Sequence, residues 1–301
     1  MSRKHSDSIP LGRSFVLRRT LLVLAVALAG SGGSVFASPA EPAAAQPLPS
    51  YLADRGTGIA TSQFGTYVEP GQWIVYPFYE YTRTPTFEYH PSELGSVGGT
   101  DFKGKLFEHE ALLFVAYGIS DRVSVELEGA LYAKTTFEKA ADDPSDLPTR
   151  FSESGLGDVE GQVRWRWQKE TEHRPELYSY LEVVFPLQKD EVLIGTQDWE
   201  GALGFGFLRG FSWGTLGGRV ALAWDGEDSR AEVGEYAIEY IKRTQNWRFV
   251  ALLEGESVEV SLIGEAQRSL GPHAILKLNC GFGLSEQSPD VAPEVGILFH
   301  F

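Results

Sequence analysis

Beyond residue 38, the residues best equipped for chemistry are five histidines, one cysteine and many carboxylates. His90, His109, His173, His273 and His300 are scattered singly along the chain. A nucleophilic serine needs a histidine beside it, and that histidine needs an acid or amide to orient it. His90 has Ser92 two residues on, but Pro91 interrupts the pair, and the other four have no serine within two positions. Cys280 stands alone, so neither an intramolecular disulfide nor a thiolate metal centre can form. Asp142, Asp143 and Asp146 could hold calcium weakly, although a solvated acidic loop is the plainer reading. From Gly99 to Gly104-Lys105 the spacing copies a phosphate-binding loop, yet Leu106 stands where the magnesium-holding hydroxyl belongs. No catalytic residue, metal site or cofactor is therefore expected, and the chain reads as a non-enzyme.

The carboxylates follow a different order. In residues 157–168, Val159, Gly161, Val163, Trp165 and Trp167 alternate with Glu160, Gln162, Arg164 and Arg166. Residues 123–134 repeat the pattern, with Val123, Val125, Leu127 and Leu131 against Ser124, Glu126, Glu128 and Tyr132. In an extended strand such alternation places one set on each face. About twelve segments of this kind run from residue 73 to residue 301: 73–83, 105–119, 123–134, 157–168, 176–187, 198–208, 214–224, 230–242, 247–256, 258–269, 273–284 and 293–301. Most approach the roughly 9–11 residues with which a tilted strand crosses a bilayer. The expected connections alternate too. Stretches such as 84–104, 135–156 and 188–197 are long, whereas Ser120-Asp121-Arg122, 209–213, 243–246 and 270–272 are tight. Residues 169–175 and the link near Ser257 break the rule. Even strand number, short turns at one end and long loops at the other describe a bacterial outer-membrane barrel.

Export and anchoring signals agree. Residues 1–37 read as a cleaved signal peptide, with Arg3, Lys4, Arg13, Arg18 and Arg19 ahead of the apolar run Leu21–Leu28 and a small-residue site at Val35-Phe36-Ala37. Residues 38–72 read as a flexible periplasmic segment, Ala- and Pro-rich at its start. Five basic residues and one acid fall within 1–37, so the remainder carries about −19 against −15 for the whole chain. So acidic a protein is not expected to bind nucleic acid. The expected fold is all-β: a single transmembrane antiparallel up-and-down β-barrel over 73–301. It lies in the bacterial outer membrane, with the last strand (Val295, Ile297, Phe299, Phe301) offered to the barrel-insertion machinery and to lipid.

On that fold the polar faces line the lumen. The expected pore-lining residues are Glu110, Glu126, Glu128, Glu160, Arg164, Arg166, Glu182, Arg219 and Lys277. They can pair across a narrow interior or select permeants by charge. Tyr76, Phe78, Phe114, Tyr132, Tyr178 and Tyr180 are expected inward, as an apolar track or as filling. Trp73, Trp167, Trp199, Trp224, Trp247, Phe299 and Phe301 are expected in the aromatic girdles at the membrane interfaces.

Two short stretches carry a family resemblance: Tyr117-Gly118-Ile119-Ser120-Asp121-Arg122-Val123-Ser124-Val125, and Ser154-Gly155-Leu156-Gly157-Asp158-Val159 leading to Arg164-Trp165-Arg166-Trp167. With Glu69-Pro70-Gly71-Gln72-Trp73, they make residues 65–185 resemble the transporter-like outer-membrane family of the MetA pathway of phenol degradation. The resemblance implies a channel for hydrophobic or aromatic compounds and supplies no catalytic residue. A porin-like passage for small solutes is thus the expected function. The alternatives are a plugged structural or adhesive barrel and, third, a barrel enzyme.

Overall fold

A computed structural model of the chain describes residues 48–56, 68–188, 190–225, 230–256 and 258–301. The expected export signal and Ser257 lie outside the described residues. Thirteen strand segments follow in order: β1 (Trp73–Tyr89), β2 (Phe102–Gly118), β3 (Val123–Glu138), β4 (Arg150–Gly155), β5 (Val159–Gln168), β6 (Glu176–Val184), β7 (Glu200–Phe211), β8 (Gly214–Asp225), β9 (Arg230–Thr244), β10 (Trp247–Glu256), β11 (Glu259–Gly271), β12 (Ala274–Gly283) and β13 (Ala292–His300). Each pairs antiparallel with its neighbours. β1 closes the wall against β13, with Val75 opposite Phe299, Phe78 opposite Gly296 and Glu80 opposite Glu294. β4 and β5 both pair with β3 and act as one interrupted strand, so the closed barrel has twelve strands. Closure leaves no edge, which is why such a sheet can stand in lipid. Among the described residues no helix is long and apolar enough to cross a membrane.

The sequence places the fourth strand at 157–168; the structure splits it into 150–155 and 159–168. The gap stays attached to β3 through Gly157 N to Ala130 O (2.9 Å) and Ala130 N to Asp158 O (3.0 Å). A side-chain carbon at Gly157 would collide with the Ala130 and Ala133 methyls, so this close approach needs glycine.

Periodicity also fails at one residue of β3. Ala111 faces Tyr132 but Leu112 faces Ala130, so β3 carries one extra residue, a bulge. Leu131 and Tyr132 are both turned outward, 62% and 49% exposed. Tyr132 is therefore not in the lumen, contrary to the alternation. Beyond the bulge the inward set becomes Ala133, Thr135 and Phe137, all buried.

One barrel end has the short connections 119–122, 169–175, 212–213, 245–246 and 272–273; the other has 90–101, 139–149, 185–199 and 284–291. At the long-loop end the loops enclose their own apolar cluster: Tyr89, Leu94, Leu106, Phe137, Ala140, Leu147 and Leu193. The Tyr89 hydroxyl donates to Asp143 (2.8 Å) and accepts from Ala140 N (3.1 Å), fixing the 139–149 loop. Asp143 also accepts from Ser145 N (2.8 Å) and Asp146 from Ser96, so this acidic loop spends carboxylates on its own structure.

Candidate channel lumen

The inner surface follows from the alternation already described. Residues facing inward are even-numbered on β1, β2 and β5 and odd-numbered on β11, where Glu265 and Gln267 are buried between exposed or half-buried neighbours. The nine expected pore-lining residues all fall on inward positions. Glu126, Glu128, Glu160, Arg164, Arg166 and Lys277 are buried, and Glu110 is half-buried.

The structure joins Glu126, Arg164 and Glu182 in one mesh and gives Arg219, Arg166 and Lys277 partners elsewhere. Arg164 Nε lies 3.4 Å from Glu126 Oε1, and its Nη2 donates to Gln162 Oε1 at 3.0 Å. Gln162 Nε2 in turn donates to Glu182 Oε2 at 2.8 Å. Arg164 lies over the Tyr178 ring (5.2 Å) and Arg219 over the Tyr180 ring (5.9 Å). Arg219 also pairs with Glu235. Gly204 and Gly206 on β7 leave room for these two tyrosine rings; a side chain at either would overlap them. Across the barrel, Lys277 Nζ lies 3.1 Å from Glu265 Oε2 and 5.0 Å from the centre of the Tyr76 ring. Tyr76 donates to Glu294, and Gln267 donates to Glu265. Charges removed from bulk water need such partners.

A second inner region is apolar. Ile74, Tyr76, Phe78, Leu112, Ala116, Ala130, Ala133, Ile275 and Leu298 form one buried cluster, joined by Val68 and Ile194, with Phe114 packed against it. Tyr76 and Phe78 stack at 4.7 Å between ring centres, opposite Gly296, whose missing side chain provides their space. Leu193 belongs to the loop-end cluster and Ile194 to this one, so the two apolar clusters meet at loop 185–199. Glu153 holds that loop by accepting from Val192 N (3.0 Å) and Leu193 N (2.6 Å).

At the short-turn end the sequence reading missed a clasp. Residues 38–72 read as flexible, yet the described parts, 48–56 and 68–72, are tied to the barrel. Ser50–Leu52 form a 3-10 turn, and Tyr51 backbone lies so close to Gly210 that no side chain fits there. Arg55 is 2% exposed, with Nη2 at 3.1 Å from both Glu170 and Glu176. Arg166 Nη1 shares Glu176 at 3.3 Å. Asp54 accepts from Arg243 N (2.9 Å) and meets Lys242 (3.4 Å), while its carbonyl accepts from Arg248 Nε (2.8 Å). One signal was available: Arg55 is the only base between Arg19 and Arg83.

The expected girdle residues lie on the outer face. Trp73, Trp167, Phe299 and Phe301 are exposed and Trp247 half-exposed at the short-turn end; Trp199 and Trp224 are exposed toward the other. Trp73 packs on Tyr117 at 4.6 Å and Phe185 on Trp199 at 4.9 Å. The histidines remain dispersed. His90 pairs with Glu93 and Asp101 in a loop, His109 accompanies Tyr79 on the outside, and His273 meets His300 at the short-turn end. No group of three or more potential metal ligands occurs among the described residues.

No protein-family model and no curated protein matches the chain. Solved structures do. An outer membrane channel from Pseudomonas putida F1 aligns with a TM-score of 0.55 and 14% identity, over 78% of this chain and 97% of that one. The translocator domain of an autotransporter from Neisseria meningitidis aligns at 0.42 with 11% identity, over 77% and 88%. The OmpF porin of Salmonella typhi aligns at 0.30 with 7% identity, over 76% and 96%. The first of these likenesses is one of fold: it agrees with the closed twelve-stranded antiparallel barrel seen here.

Proposed function

We propose that this barrel is an outer-membrane channel for the passive passage of small solutes, with hydrophobic or aromatic compounds as its preferred cargo. The observation that carries the reading is the apolar strip inside the barrel. Ile74, Phe78, Leu112 and Leu298 face the interior of a structure whose outer face separately exposes apolar side chains such as Val163, Leu181 and Leu222. A purely aqueous pore gains nothing from them, whereas an apolar solute loses its contact with water along such a strip. The resemblance of residues 65–185 to the phenol-degradation family supports the same solute class. On this reading the chain is exported by residues 1–37, inserted through its C-terminal strand and held by outer-membrane lipid.

The second reading, a plugged structural barrel, draws on the clasp at the short-turn end, where Arg55 binds both Glu170 and Glu176. Reconstitution separates the two. Liposomes containing the folded protein are expected to take up an apolar aromatic solute faster than a sugar of equal size, and planar bilayers to show small conductance steps. Absence of both solute flux and conductance from heat-modifiable, folded protein would sink the channel.

A further inference from the structure

The outer face of the barrel carries a feature that passage through the lumen does not use. β1, β2 and β3 have 17, 17 and 16 residues, well beyond what a bilayer crossing needs. Their surplus projects past the lipid at the long-loop end. The outward apolar belt on these strands ends at one row, where Tyr79 faces Ala111 and Ala111 faces Tyr132, with exposed Leu131 beside it. The next outward row is Tyr81, His109 and Lys134; beyond it come Arg83 and Phe107, then Lys105, Glu138 and Arg150. Cations thus begin immediately above the aromatic belt, where an outer-membrane barrel would meet lipid headgroups.

Here the wall forms a recess of about 470 Å³ lined by Tyr81, Phe107, His109, Lys134, Glu138 and Arg150. Its aromatic side is set by Tyr81 packed on His109 (4.9 Å between ring centres), and the Tyr79 hydroxyl holds His109 Nδ1 at 2.6 Å. Glu138 is its only carboxylate, shared between Lys105 (3.3 Å) and Arg150 (3.6 Å). Lys134, within the recess, and Arg83, at its flank, are exposed and have no ion pair among the described residues. In a chain of net charge −15, four cations around one acid on a single outward patch mark a local reversal of sign.

We propose that this recess holds the phosphorylated headgroup of an outer-leaflet glycolipid. Lys134, Arg150 and Lys105 supply charge-assisted hydrogen bonds to phosphate oxygens, a pairing stronger than neutral hydrogen bonds. Basic residues beside an anionic membrane surface are held to it electrostatically. A lipid fits better than free phosphate because the recess lies on the outer wall and the next outward row below it, Tyr79 and Tyr132 with Leu131 beside them, is exposed and largely apolar. Acyl chains can lie there while the phosphate meets the cations. The inference rests on the outer-membrane reading, since only there does this face meet such a lipid.

The test is native mass spectrometry of the folded barrel in detergent, titrated with bis-phosphorylated lipid A, with dephosphorylated lipid A, and with inorganic phosphate as competitor. A one-to-one adduct with the phosphorylated lipid is expected, at least ten-fold weaker for the dephosphorylated one, and not displaced by millimolar inorganic phosphate. The double variant Lys134→Glu/Arg150→Glu is expected to lose the adduct at least ten-fold with single-channel conductance unchanged; Lys134→Gln, the milder change, is expected to weaken it several-fold and serves if the double variant does not fold. Equal binding of both lipids, displacement by inorganic phosphate, or wild-type binding by the variants overturns the site. Loss of conductance with the lipid adduct intact counts against the channel alone.

Discussion

Toward the short-turn end of β1, β2 and β13 the interior of the barrel is apolar, with Ile74, Phe78, Leu112 and Leu298 in one cluster, while Glu80, Glu108, Glu110 and Glu294 take the inward positions farther along. Across β3, β5 and β6 the same inward positions carry Glu126, Arg164, Gln162 and Glu182 in a hydrogen-bonded mesh, with Arg219 on β8 paired to Glu235 beside it. The two walls solve one problem differently. The apolar wall is held by area removed from water, which is non-directional and forgiving of shape. The charged wall is held by pairing, so each member depends on its neighbour. A solute that slides past the first wall disturbs little; one that binds the second must replace specific partners.

The largest expected effect falls on the charged side. Glu176→Ala strips a partner from both Arg55 and Arg166, and breaking a buried ion pair costs about 3–5 kcal/mol. Urea unfolding in lipid vesicles measures it, and a loss below about 1 kcal/mol would mean these groups are solvated, erasing the contrast between the walls. On the apolar side, Leu112→Ala is expected to cost about 2–4 kcal/mol by the same assay, as for a truncated core leucine. Leu112→Glu sharpens the comparison further by lowering flux of an aromatic solute more than that of a sugar. Arg55→Ala loosens the clasp, and small-ion conductance in planar bilayers is expected to rise several-fold. The smallest effect lies outside the membrane, in two short turns. Lys169 Nζ is 3.0 Å from Asp121 Oδ1, and this hydrogen bond, with its charge, holds the Asp121 carboxyl below its ordinary value. A depressed carboxylate adds stability above its unfolded pKa and loses it as pH falls through the folded one. Asp121→Asn is therefore expected to flatten acid unfolding slightly, an effect that disappears in 1 M salt because the pair is exposed.

Most of the barrel was legible because its signal is local. Trp165 and Trp167 outward with Arg164 and Arg166 inward needs only the two-residue period of a strand. The closing pair was also legible, since an even-stranded wall leaves 293–301 no neighbour but the first strand and the one before it. Tyr132 was misplaced because a bulge changes the face of every later residue without marking the sequence. The split of the fourth strand was missed for a related reason: Gly157 is required by the Ala130 and Ala133 methyls on another strand, not by its own neighbours. The Asp54–Arg55 clasp was missed because a segment without periodicity says nothing about what it touches.

By itself the sequence determined the all-β class, the approximate strand number, which residues turn inward on most strands, and which aromatics turn outward. Each of these depends on neighbours two to ten positions apart, a range that alternation and turn residues record directly. Only the tertiary structure decided that inward charges pair as Arg164 with Glu126 and Lys277 with Glu265. It also decided that Ile74, Phe78, Leu112 and Leu298 meet in one cluster, and that cations from three strands meet above the belt. Those arrangements depend on register, which sets who faces whom on neighbouring strands, and on barrel closure, which joins Ile74 of the first strand to Leu298 of the last; neither leaves a periodic trace in the chain.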